Sequence, residues 1–208
     1  MNTNLLTDPL YLAAINYSKF INKNYIYTLN NGAKIEVMFK RHNFAHLIGL
    51  HKLVDIELLR KLSDKKSKVA DLVYKQIIRG KLTYNDISKS SFFTDMKDRV
   101  ANFGSIEQLL FSEIIINFDK TKVRKSDLKS TVILFEKKDT NYLHLCIAKD
   151  SNNSSHYPET FLVHPDKYYI NGQTKILIQS IQIVDSKSKR IEKKFLSVNG
   201  KLVEQAVA

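Results

Sequence analysis

Histidine is the side chain best suited to moving protons near neutral pH, and this chain has six. His42 and His46 stand four apart in Arg41-His42-Asn43-Phe44-Ala45-His46-Leu47-Ile48-Gly49-Leu50, so a helix there puts both on one face. That spacing suits two metal ligands, but no third lies nearby. Among Phe44, Leu47, Ile48 and Leu50, His46 also reads as a hydrogen-bonded core histidine. A second concentration of polar chemistry spans 149–161. It brings a cation (Lys149), a base (His156), a phenol (Tyr157) and a hydroxyl (Thr160) into one stretch around the loop Asp150-Ser151-Asn152-Asn153-Ser154-Ser155. Such a stretch is either a solvated loop or a site held beside a rigid sheet. Arg99 sits on a predicted helix over 95–103. It either pairs with Asp95 one turn away or aims its planar fork at a phosphate. Tyr168 and Tyr169 read as core residues or as base-stacking platforms.

Several chemistries leave no trace. There is no glycine-rich phosphate loop, no Cys-x-x-Cys, no His-Glu-x-x-His, no calcium loop and no Gly-x-Ser-x-Gly elbow. An enzyme built from this sequence is expected to need no metal and no organic cofactor. The single cysteine, Cys146, lies in an apolar run and reads as a small buried hydrophobe. With no partner for a disulfide within the chain, a reducing, cytoplasmic setting is expected. No signal peptide and no apolar run of ~18 residues is present, so no membrane partner is expected. Charge is the strongest bulk signal: 33 Lys+Arg against 21 Asp+Glu give a net +12. Such a surplus attracts nucleic acid or an acidic protein surface. A genome rich in AT pairs produces the same bias toward Lys, Asn and Ile.

The elements that must hold these residues follow from periodicity. Asp8 and Pro9 start a helix whose apolar face is Leu10, Ala13, Ala14, Tyr17, Phe20 and Ile21. Alternating runs on either side of Asn31-Gly32 predict a hairpin. A short helix or helical turn is predicted around 41–53, an amphipathic helix over Ser67–Ile78, and a helical stretch over 92–110 that Gly104 interrupts. Beyond Glu113 the period becomes that of strands: 114–118, 131–135, 142–148, 160–163 and 175–184, with a last hairpin around Asn199-Gly200. Helices first and strands second predict an α+β fold, with N-terminal helices packed on a twisted antiparallel sheet. Within one compact domain the chain divides into a helix and hairpin strand at 1–33, a main domain at 34–185 and a C-terminal hairpin or tail at 186–208.

Taken together, Phe39-Lys40, Phe44-x-His46-Leu47-x-Gly49-Leu50, Ile87, Ser90, Phe93, Arg99-Val100-x-x-Phe103, Tyr142-Leu143, Tyr157-Pro158-Glu159-Thr160-Phe161 and Tyr169-x-x-Gly172-Gln173 follow a familiar order. The chain resembles the fourth family of phage-barnase-EndoU-colicin-RelE-like nucleases, of the BECR superfold. The resemblance spans about 34–184. It implies metal-independent RNA cleavage through the RNA's own 2′-hydroxyl by a toxin-like protein of phage or mobile-element origin. It implies transfer or messenger RNA as partner, and an antitoxin or host protein as a further one. His46 matches the motif histidine and becomes general base or acid. Arg99 matches the motif arginine, and Thr160 stands where it can bond the scissile phosphate. His156, Tyr157 and Lys149 come from local chemistry, not from the motif. No second catalytic residue is evident. The alternative reading is therefore a non-catalytic basic protein, binding nucleic acid or acting as a phage-encoded inhibitor of a host defence complex.

Overall fold

The computed structural model describes residues 5–62, 67–151 and 154–207. Residues 1–4 of the predicted N-terminal segment, Asn152 and Asn153 of the predicted loop, and Ala208 of the predicted tail lie outside them. The chain forms two compact units, each made of two chain segments. One comprises 1–21 and 40–105, the other 22–39 and 106–208.

The first unit is helical. Helix α1 (Pro9–Ser18) begins at Asp8, whose carboxylate accepts from the Tyr11 amide at 2.8 Å. The same carboxylate accepts from the Tyr84 amide at 2.8 Å, at the start of α5 (Tyr84–Ser88), so one acid caps two helices. Thr83 and Asp86 form the capping box of α5. Tyr17 of α1 is fully buried in an aromatic cluster. Its ring lies 5.3 Å from Phe44 of α2 (Asn43–Leu47) and 6.3 Å from Tyr74 of α4 (Ser67–Ile78). Its hydroxyl donates to the Lys40 carbonyl at 2.8 Å. Short helices α3 (Glu57–Arg60) and α6 (Lys97–Asn102) complete the unit. Asp95 lies in a 3-10 turn before α6, which therefore starts later than its sequence suggests.

The second unit overturns the expected fold class. We expected helices packed on an open twisted antiparallel sheet, and the sheet is instead a closed barrel. Strands β1 (Lys23–Leu29) and β2 (Lys34–Met38) form the predicted hairpin. They are followed by α7 (Ile106–Leu110), β3 (Ile114–Asn117), β4 (Ser130–Lys138), β5 (Asn141–Lys149), β6 (His156–His164) and β7 (Thr174–Asp185). The order β1-β2-β6-β5-β4-β3-β7 returns to its start because β7 also pairs with β1, from Lys23↔Asp185 to Leu29↔Ile178. Seven strands thus close on themselves, which removes the open edges of a flat sheet. One seam is thin and parallel: β2 meets β6 through Val37↔His156. A hairpin of β8 (Ile191–Val198) and β9 (Lys201–Gln205) continues from β7. Its turn, Asn199-Gly200, has φ of 51° and 80°, the geometry the Asn-Gly signal predicts.

Cross-strand partners share a face, so the register sorts the barrel's two surfaces. Ile115, Leu134, Leu145 and Phe161 are successive partners, all fully buried, and fill the interior. Ile116, Ile133 and Cys146 alternate with them and face outward. They are buried because Phe118, Val123 and Ile170 of the connecting segments pack over them. This double burial explains why β5 reads as one unbroken apolar run.

Candidate functional site

His46 lies in the last turn of α2, anchored by Phe44, whose ring meets Phe103 at 5.6 Å and 89°. Gly49 follows with φ of 85°, a left-handed conformation that glycine adopts without penalty. The chain reverses there and enters a 3-10 turn, Leu50–Lys52. The reversal brings the ring of His51 back to 4.9 Å from that of His46, tilted by 37°. Arg99 of α6 reaches the same place and is buried, with 8% of its surface exposed. A Cβ on Gly49 would sit 3.3 Å from the Arg99 Nη1 and 3.3 Å from the Met96 Cβ. Gly49 therefore serves twice, as the turn and as the space the guanidinium occupies.

The electrostatics follow from this crowding. Burial pushes the His51 imidazole down to about 4, and the adjacent charges of His46, Arg99 and Lys52 push the same way. His51 is consequently a neutral imidazole at pH 7, able to accept a proton. Its Nδ1 is buried and meets no hydrogen-bond partner among the described residues. Asp55 braces the approach to α6. Its carboxylate accepts from the Ser90 hydroxyl and from the Ser91 amide at 2.8 Å, and these bonds lower its own pKa.

The other four sequence candidates lie in the barrel. Lys149 ends β5 and His156 opens β6, so the two flank the expected loop 150–155, and the strand predicted from Thr160 starts earlier, at His156. Pro158 is tolerated in β6 because the register slips beside it, between Cys146↔Thr160 and Ile147↔Pro158. That slip leaves Glu159 as an extra, bulged residue. Its carboxylate accepts from the Lys129 amide at 3.0 Å and from the Ser130 hydroxyl. The register puts Thr160 and Tyr157 on the face of Cys146 and Ala148. Lys149 and His156, partners across the ladder, share the opposite face. Burial lowers the His156 pKa and, with Glu159 and Asp150, raises that of Tyr157.

The structure thus gathers His46 and Arg99 into one cluster and divides the four barrel candidates between two faces. The residue that sequence reasoning missed is His51. Its signal was Gly49: a glycine closing a short helix predicts a reversal, and a histidine two residues later returns beside the last helical turn.

No curated protein sequence and no solved structure gives a significant match to this chain. The family model of the phage-Barnase-EndoU-ColicinE5/D-RelE like nuclease 4 does match it, over residues 10–201, and the chain belongs to that nuclease family.

Proposed function

We propose that the protein is a metal-independent RNA endonuclease of the 2′-hydroxyl type, acting on cellular RNA as a toxin-like enzyme. The observation that carries this reading is the pair of imidazoles, 4.9 Å apart, with Arg99 against the turn that joins them. Transesterification of RNA needs a base for the 2′-OH, an acid for the leaving 5′-oxygen and a cation for the phosphorane charge. His51, neutral at pH 7, accepts the 2′ proton as the 2′-oxygen bonds to phosphorus. The P–O5′ bond then breaks, and the 5′-oxygen takes a proton from His46. Arg99 holds the non-bridging oxygens, as its fork suits. The products are a 2′,3′-cyclic phosphate and a 5′-hydroxyl. Thr160, Tyr157, Lys149 and His156 carry no proton in this reading.

The test is digestion of RNA by the purified protein in EDTA, with analysis of the ends. Cyclic phosphate ends that disappear in both His46→Ala and His51→Ala support the reading. Undiminished cleavage by either variant overturns its assigned role, and a strict need for a divalent ion overturns the metal-free step. Expression in a bacterium is expected to arrest growth, and His46→Ala to relieve the arrest.

A further inference from the structure

A second feature of the barrel has no part in that chemistry. His164 ends β6, and the ring of Tyr168 stacks on it with centroids 5.4 Å apart and planes 20° apart. Tyr169 meets both rings edge-on, at 5.5 Å and 5.1 Å. It also backs onto the fully buried His144 at 5.5 Å. The group is therefore seated on the barrel's outer apolar cluster, not hanging from a mobile tip. The backbone is fixed too: the Tyr168 amide donates to Asp166 Oδ1 at 2.7 Å, and the Tyr168 hydroxyl donates to the Arg124 carbonyl. Yet 40% of Tyr168 remains exposed.

The segments that carry and contact this ring are basic. Lys167 lies 6.0 Å from the Tyr142 ring, and Lys122 donates to the Gly172 carbonyl at 3.0 Å. The segment that Tyr168 bonds also carries Lys120, Arg124 and Lys125. The nearby acids, Asp119 and Asp166, are engaged with Thr121 and His164. A rigid, part-exposed aromatic face among cations is how proteins hold unpaired bases without reading their sequence. We propose that Tyr168, stacked on His164, is a platform on which an unpaired nucleobase of a single-stranded nucleic acid lies. The inference rests on the chain acting on nucleic acid, but not on the catalytic roles of His46, His51 or Arg99.

The chain contains no tryptophan, so Tyr168→Trp introduces a unique fluorophore at the platform. The probe is a single-stranded 2′-O-methyl RNA oligonucleotide, which has no free 2′-hydroxyl to attack, with its duplex as comparator. Stacking is expected to quench the tryptophan with the single strand and to leave it unchanged with the duplex. In anisotropy titrations Tyr168→Ala is expected to weaken binding about 5- to 150-fold. Tyr168→Phe keeps the ring face but loses the bond to Arg124, and is expected to stay within about 2-fold of the parent. A merely structural Tyr168 would instead make Phe and Ala behave alike, and that result, or equal quenching by the duplex, overturns the platform. Because the probe is not cleaved, the two proposals fail separately. Tyr168-dependent binding without RNA cleavage sinks the nuclease reading alone, and cleavage with binding indifferent to Tyr168→Ala sinks the platform alone.

Discussion

His51 turns a lone motif histidine into a pair, and its environment sets its role. Its pKa of about 4 comes first from burial and then from three neighbouring positive groups. A base works in its deprotonated form, so kcat/KM is expected to rise with pH through an acid limb near 4 and to be unaffected by His51 above it. His51→Gln should cost roughly 10²- to 10⁴-fold in kcat and remove that limb, leaving whatever other limbs the profile has. A pH–rate profile of both proteins checks this; an acid limb that persists in His51→Gln belongs to another group. His46 and Arg99 were legible because they fall in a motif with fixed spacing. His51 was not, because proximity to His46 depends on the φ of the glycine between them. Lys149, His156, Tyr157 and Thr160 looked like one cluster because they are close in sequence, but a strand sends alternate residues to opposite faces.

Short irregular pieces position these side chains, and two of them make separate predictions. At Gly49 a side chain meets both a positive φ and contacts of 3.3 Å with Arg99 and Met96. Gly49→Ala is expected to cost about 1–3 kcal/mol of stability. It should also lower kcat more than this loss explains, because Arg99 must move. Urea denaturation and steady-state kinetics on the same preparation separate the two effects, and an unaltered kcat would show that Arg99 has room to spare. The bulge at Glu159 is held by bonds to Lys129 and Ser130 on β4 and the residue before it. Glu159→Ala strips the partner from these donors and should cost about 1–3 kcal/mol. Glu159→Gln keeps an acceptor and should cost less. A urea midpoint for Glu159→Ala equal to that of the parent would mean that the carboxylate oxygens are dispensable. The hairpins, the α1 cap and the α5 capping box were readable because their chemistry is local. The bulge was hidden, because only the partner strand reveals the slipped register.

Barrel closure was beyond the sequence for the same reason, writ large. Each strand announces its period, but the pairing of Lys23 with Asp185 joins residues that no local pattern relates. The covering of the barrel's outer face creates a costly residue. His144 is fully buried beneath Tyr169, and neither ring nitrogen has a hydrogen-bond partner among the described residues. Burial, reinforced by His164, pushes its pKa down to about 4. An unfolded histidine titrates near 6.5, so between about pH 6.5 and 4 the unfolded chain takes up a proton that the folded barrel refuses. Stability is therefore whole above that window and declines through it, by about 3 kcal/mol from this residue at its lower end. His51 adds a loss of the same sign in the other unit, so the comparison must be internal. His144→Met fills the space with an adaptable apolar side chain and removes the proton site. Urea midpoints measured from pH 7.5 to 4 are expected to fall less steeply for His144→Met than for the parent, the two curves diverging below 6.5. Parallel curves would mean that the barrel accommodates a charged imidazole at this position, and that its outer apolar cluster is open to water there.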